Sequence, residues 1–266
     1  MPLSLACRRD DNSSDIKLPT VDFCYNRRMK EGYQAHFEAV GELSESTRRS
    51  MAALYSRYYA GSSETLFRAD LEHKTEALLV YAGAQLVGFT TQEIYRFIWR
   101  GQQLRVIYSG DTVVERAHWG QQALAFSWIE RAGQLKQEKP EIPLYWFLIV
   151  KGHRTYRYLP AFSIEFYPHW AEHNADLKSL SDALALEKFG ADYDPDKGIL
   201  AFEPSRGHLR EAYAYPAAGE QSRASVRFFL RRNPGYLLGH EMVCLCELSE
   251  QNLKPLTRRI FRRCGR

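Results

Sequence analysis

Apolar positions along the chain change period several times, and the most informative change falls between Leu104 and Leu135. From Leu104 to Val114 the residues are mostly β-branched or aromatic, the composition of a buried strand, and Gly110 interrupts the run where a bulge is expected. After Glu115-Arg116-Ala117-His118-Trp119-Gly120 the period becomes helical. Leu124, Trp128, Ala132 and Leu135 fall at i, i+4, i+8 and i+11, while Gln121, Gln122, Glu130, Arg131 and Gln134 lie largely off that stripe. A strand that turns sharply into a helix leaves first-turn N–H groups unpaired at a partly positive end, which is a place for an anion.

The same reading divides the rest of the chain. Residues 1 to about 32 carry polar runs such as Arg8-Arg9-Asp10-Asp11-Asn12-Ser13-Ser14 and read as a loosely held arm, with folding expected to start after it. A cap-like start at Glu42 to Ser46 precedes Met51, Leu54, Tyr55, Tyr58 and Tyr59 at helical spacing, and Phe67 to Leu71 predicts a second, shorter helix. Ala77 to Tyr81 and Leu86 to Thr90, the latter extending to Phe97, form a hairpin around Ala82-Gly83-Ala84-Gln85. Trp99-Arg100-Gly101-Gln102 turns the chain into the strand at 104–114, completing a three-stranded antiparallel meander. Leu144 to Val150 is too uniformly apolar for anything but a buried strand, and the right-handed crossover rule lays it parallel to 104–114. Beyond it, 154–168 reads as a helix interrupted or started at Pro160, and Leu177 to Phe189 as a helix ended by Gly190. Ile199 to Phe202, Val226 to Leu230 and Met242 to Leu248 read as strands, and a capped helix carrying the last arginines begins at Ser249.

Composition narrows the class. At 266 residues, with 45% apolar and 26% charged positions, the chain has room for one large domain or two small ones and the make-up of a soluble globular protein. Its apolar runs fall far short of the roughly 20 residues that cross a bilayer. Met1 to Cys7 lacks a basic leader, so an intracellular, cytoplasmic protein without membrane attachment is expected. Five cysteines, at 7, 24, 244, 246 and 264, make neither a disulfide framework nor a C-x-x-C zinc pair, and Cys244 and Cys246 share one strand face as small core residues. His169 and His173 are four apart with no third ligand placed, so no metal is expected. The net charge of +4 is mild, with arginines crowded at 258, 259, 262, 263 and 266 and a smaller cluster at Arg27, Arg28 and Lys30. With 36 basic against 32 acidic residues and no reader motif, nucleic acid is not an expected partner. Absence of a G-x-S-x-G elbow removes that class of hydrolase.

The order helix, helix, antiparallel meander, long helix, parallel strand, helix, closing strands resembles the GNAT acyltransferase superfamily over roughly residues 42 to 168. The resemblance implies an α/β (α+β) fold with a mixed, mostly antiparallel sheet, helices on both faces and an elaborated C-terminal region. Its implied layout is an arm at 1–32, a core at 33–170, and an extension at 171–266 that completes the sheet and covers the acceptor side. In that family the strand before the long helix is bulged and diverges from the parallel strand after it, opening a cleft for the pantetheine arm of acyl-CoA. The family's phosphate signature, Arg or Gln, two residues, Gly, one residue, Gly or Ala, corresponds here to the run from Arg116 to Ala123. In strict register Trp119 and Gln121 stand at the glycine places; with one extra residue Gly120 and Gln122 do. Val113, Val114, Arg116, His118, Trp119, Gly120, Gln121 and Gln122 are therefore the implied coenzyme residues.

Acyl transfer from a thioester to an amine needs a neutral nucleophile, donors that polarise the carbonyl, and an acid for the departing thiolate. Asp111 and Glu115, on the strand lining the cleft, are the candidate bases; Asp111 is preferred, because a carboxylate in an apolar strand needs a reason, while Glu115 also suits a capping role. The resemblance makes Tyr156 or Tyr158 the candidate acid. Lys151, His153 and Arg154 end the parallel strand and suit coenzyme phosphate or an acidic substrate. The implied activity is N-acyl transfer from acyl-CoA to a small-molecule amine, in preference to a protein amine, and a homodimer is compatible with it. The alternative, from a different class, is an inactive GNAT-like binding module that docks an acidic protein or nucleic acid through its arginine-rich C-terminus.

Overall fold

A computed structural model describes residues 32–263, so the predicted arm up to 31, with Cys7, Cys24 and its basic cluster, and the last three residues lie outside the described residues. An eight-stranded sheet organises the chain. Its order is β1 (Tyr33–Ala39), β3 (Glu76–Ala82), β4 (Gln85–Trp99), β5 (Gln102–Val114), β6 (Leu144–Val150), β10 (Glu241–Glu247), β8 (Ile199–Leu200) and β7 (Tyr193–Asp194). Only the β5–β6 pair is parallel; every other pairing is antiparallel. The fold is therefore mixed α/β with a mostly antiparallel sheet. Two further short strands, β2 (Tyr59–Ala60) and β9 (His208–Leu209), form a separate ribbon.

Strand periodicity distributes the core over two faces. Leu78, Val80, Ile107, Leu144, Trp146, Leu148, Met242, Cys244 and Cys246 point to one face. There they meet α3 (Ala123–Glu138) and α9 (Pro255–Phe261). Ala77, Leu79 and Phe89 point the other way, onto α1 (Glu45–Tyr58) and α2 (Glu64–Leu71), and Val106, Tyr108, Phe147, Val243 and Leu245 meet α6 (Ala175–Phe189) beside them. Ser44 and Ser63 cap α1 and α2 by accepting the N–H groups of Thr47 and Leu66, each at 3.1 Å. Both cysteines of β10 are buried and free.

Four elements differ from the sequence expectation. Folding begins at β1, before the first expected helix: Tyr33, Ala35 and Phe37 alternate with polar residues and pack on the α3 face, a short edge-strand signal next to a polar arm. Val226 to Leu230 is not a strand but the middle of α8 (Ala224–Arg232), in which Val226 and Phe229 are buried three residues apart while Arg227 and Arg231 face water. A five-residue apolar run does not distinguish the two periods. The 154–168 helix is two short ones, α4 (His153–Tyr156) and α5 (Tyr158–Phe162), after which Ser163 and Tyr167 bridge to Leu253 and Leu245. Ser249 starts a turn rather than the last helix, and α9 begins at Pro255, whose fixed φ and missing N–H suit a first helical position.

α3 crosses α9 at Gly133, where an added Cβ would lie 2.0 Å from the Phe261 carbonyl oxygen. Gly133→Ala should therefore push the two helices apart and cost about 2–4 kcal/mol in a urea titration. Gly41→Ala, with no atom within 4 Å of the added carbon, should stay close to wild type.

Candidate functional site

β5 and β6 stay paired from Arg105 opposite Leu144 to Ser109 opposite Leu148, and there the parallel ladder ends. Ile149 and Val150 continue with Val243 and Met242 of β10, while Gly110 to Val114 continue with β4 alone. A bulge produces the divergence. Against Thr90 to Gln92, β5 places Ser109 to Thr112, one residue more than its partner. Gly110 leaves room inside the bulge: a Cβ there would come within 2.6 Å of Lys74 Cε and 2.7 Å of Thr91 Oγ1, so those side chains would have to shift.

Two cavities meet at this split. On the α1, α2 and α6 face lies one of about 420 Å³; on the α3 face lies a narrow cleft of about 30 Å³. Gly110, Thr112, Ile149 and Thr155 line both.

The larger cavity is charged and aromatic. Three of its cations are paired with carboxylates: Lys74 with Asp70 at 2.5 Å, Lys151 with Glu241 at 3.3 Å, and Lys188 with Glu93 at 2.5 Å. Tyr108 forms part of the wall, with the Lys188 ammonium 4.6 Å from its ring centre. Asp111 lines this cavity, half-buried, and no cation among the described residues comes within ion-pair distance of it. Burial pushes its carboxyl up to about 7; the negative charges of Asp70 and Glu241 add to this, and Lys151 and Lys74 oppose it. Glu241 is raised as well, by burial against the pull of Lys151. Asp111 was legible from the sequence, but its neighbours were not. Lys151 follows one buried strand and Glu241 opens another, and only the β6–β10 pairing sets them side by side.

Glu115, the other candidate base, lines neither cavity. Its carboxylate binds Arg57 at 2.7 Å and Gln85 at 3.1 Å. The two tyrosines also part. Tyr156 is fully buried and donates its hydroxyl to the Pro168 carbonyl at 2.7 Å, whereas Tyr158 lines the narrow cleft, its phenol kept above its ordinary value by burial. Leu124, Trp128, Trp146, Leu148 and Phe162 make up most of the remaining wall, with Trp146 Nε1 donating to Ser109 Oγ at 2.9 Å.

The strand-to-helix turn lies at the end of that cleft. Val113 is a core residue on the α1 and α2 face, and the Val114 carbonyl accepts the Trp119 indole N–H at 2.8 Å. Arg116 to His118 form one 3₁₀ turn, with the Arg116 N–H on Tyr58 Oη at 2.5 Å and the His118 Nδ1 2.8 Å from the Tyr33 hydroxyl. Gly120 then takes φ +91°, which a residue with a side chain adopts only under strain, and α3 starts at Ala123. Gln121 Oε1 accepts the Leu124 N–H, Gln122 Nε2 donates to the Gly120 carbonyl, and no hydrogen bond among the described residues takes up the N–H of Ala123 or Ala125. A bulged strand, a split ladder, a left-handed glycine and open first-turn amides form the main-chain frame of this turn. Side chains close its mouth: the Trp119 ring carries the Arg154 guanidinium 4.9 Å from its centre and the Tyr213 ring edge-on at 6.3 Å.

Among the described residues no group of His, Cys, Asp and Glu is arranged to hold a metal, and no helix is long and apolar enough to cross a membrane. His169 spends its Nδ1 on the N–H groups of Ala171 and Glu172.

No protein-family model matches the chain, and no curated protein matches it by sequence. Solved structures with a similar course of the chain include a probable N-acyltransferase from Enterococcus faecalis, with 10% identity and TM-score 0.36 over 47% of this chain and 31% of that one. A GCN5-related N-acetyltransferase from Anabaena variabilis matches at 18% and 0.35, again over 47% and 31%. A GNAT family N-acetyltransferase from Escherichia coli, solved with CoA, matches at 13% and 0.36 over 49% and 68%. The chain thus spans under a third of the Enterococcus and Anabaena proteins. At such scores the chemistry has to be carried by the site's own geometry.

Raising Asp111 from 3.8 to about 7 means that the folded chain holds this proton more tightly than the unfolded chain. The ionised carboxylate is then a cost that is absent below about pH 4 and complete above about pH 7. Asp111→Asn should stabilise the protein at pH 8 by about 1–3 kcal/mol and change little at pH 4, read from urea unfolding at the two pH values.

Proposed function

We propose that the protein is an N-acyltransferase that moves an acyl group from acyl-CoA to the amine of a small molecule. One observation carries this reading: Asp111, an ion-pair-free carboxylate raised toward neutrality, lines the larger cavity between Gly110 and Thr112, which line both that cavity and the cleft on the other face of the sheet. An amine arrives at pH 7 as ammonium and must lose a proton before it attacks. A base poised near 7 removes that proton and is still about half ionised at neutral pH. The cavity of about 420 Å³ falls within the range of small-molecule sites.

When bound, acyl-CoA supplies an activated carbonyl and a thiolate leaving group. The residues proposed to hold it are the main chain of Val113 and Val114 at the split, and the turn from Arg116 through His118, Trp119 and Gly120 to Gln121 and Gln122. Tyr158, which lines the cleft and is protonated across the physiological range, is the residue proposed to give its proton to sulfur. Glu115 and Tyr156 are given structural roles, because the first is bound to Arg57 and Gln85 and the second to Pro168. A small-molecule acceptor is favoured over a protein amine by the size of the cavity, about 420 Å³, which the loop carrying Phe202 and Arg206 helps to line. The docking-module alternative is less favoured: the Arg258 guanidinium binds the Leu253 carbonyl and that of Arg262 pairs with Glu250, so two of its arginines are already engaged.

Release of free thiol from acetyl-CoA and longer acyl-CoAs, measured against a panel of primary amines, tests the proposal. Asp111→Asn should lower turnover by about 100-fold or more, and Tyr158→Phe by about tenfold. The rate should climb with pH through about 7 and then level, because the base works only when deprotonated. Wild-type rates in both variants, or no thiol release with any donor, would sink the assignment.

A further inference from the structure

The narrow cleft, at about 30 Å³, has room for roughly two waters, whereas a bound cofactor arm needs a pocket of roughly 300 Å³ or more. Over the neighbouring strand-to-helix turn lies a strap running from Arg210 to Glu220. The Arg210 N–H donates to the Tyr58 carbonyl at 2.8 Å, the Tyr213 ring packs on Tyr58 and Trp119, and the Tyr213 carbonyl accepts from Arg154 Nη1 at 2.7 Å. Glu220 fastens the far end. Its carboxylate receives Arg157 Nη1 at 2.7 Å, Arg154 Nη2 at 3.4 Å, His153 Nε2 at 3.4 Å and the Ala217 N–H at 3.2 Å.

Two guanidiniums thus converge on one carboxylate, next to the turn where a diphosphate would lie. The balance is uneven, since His153 is pulled down to about 4 by burial and Arg154, and stays neutral at pH 7. One negative charge faces two positive ones, and a phosphate with more charge and more acceptor oxygens matches two guanidinium forks better. The turn at 116–123 meanwhile has a single glycine, so the main-chain grip on an anion is weaker than a glycine-rich loop gives. We infer that Arg154 and Arg157 are the phosphate subsite of the acyl donor, and that Glu220 holds the subsite shut by standing in for the phosphate. This rests on the donor reading above. Binding of the donor exchanges the carboxylate for phosphate oxygens; Glu220 withdraws, Arg154 swings off the Trp119 ring, and the strap lifts. No covalent bond changes.

Calorimetric binding of coenzyme A, 4′-phosphopantetheine and pantetheine to the full chain tests this without requiring turnover. Glu220→Gln keeps the side-chain shape but weakens the latch, and should tighten coenzyme A about tenfold. Arg157→Gln should lower the ratio of coenzyme A affinity to pantetheine affinity about tenfold, with melting midpoints confirming that both variants fold. If phosphopantetheine binds as well as coenzyme A, a single phosphate is the group recognised, as on a carrier protein; if much more weakly, the nucleotide diphosphate is. Either result upholds the subsite. Unchanged affinities in both variants, weaker coenzyme A binding in Glu220→Gln, or no coenzyme A binding at all would overturn it. Thiol release that persists while binding ignores positions 157 and 220 removes the subsite and spares the acyltransfer reading. The expected binding pattern with no thiol release does the reverse.

Discussion

A bulge bends the strand that carries it, and in this chain the extra residue that β5 holds against β4 falls where its parallel ladder with β6 ends; the candidate site is built around that coincidence. At Ser109 to Thr112 the additional residue re-aims β5 away from β6, and the backbone groups beyond it need other partners. Some go to β4, and one, the Val114 carbonyl, goes to the indole of Trp119. The split is lined on one side by ionisable groups and on the other by rings. The sheet acts as a wall between two chemistries, and Asp111 stands on the ionisable side.

Long periodic segments were readable from the sequence because their signals are local. Ser44 ahead of α1, the hairpin around Gly83, the stripe from Leu124 to Leu135 and the apolar run at Leu144 to Val150 each specify their element within a few turns or a single strand. The parallel placement of β6 followed from chirality alone. Val226 to Leu230 failed because five apolar positions fit a helix as well as a strand, and tertiary burial of Val226 and Phe229 decided the matter. β1 escaped notice because an edge strand needs only one apolar face.

The candidate site was legible only where chemistry and strand pattern conflict. Asp111 stood out as a carboxylate in an apolar run, and so did Gly110 beside it. Glu241, Asp70 and Lys74 are ordinary residues at element ends that nothing nearby in sequence marks, and Lys151 was marked only for phosphate or an acidic substrate; long-range pairing brings them together. Glu220 is the extreme case. It lies in a loop 63 residues from Arg157, and its role as a hub appears only once the strap has folded over α4. Tyr156 and Tyr158 illustrate the limit differently: two residues apart, on successive short helices, they end in different surroundings because one hydroxyl finds Pro168 and the other faces the cleft.

The two cavities lie on opposite faces of the sheet and share only Gly110, Thr112, Ile149 and Thr155. Molecules held there would have separate doors. Neither would have to pass the other on its way to solvent, so departure of one would not be queued behind departure of its companion. The order in which they leave would then be set by how fast each side opens, and the narrow, ring-lined side would be the slower turnstile.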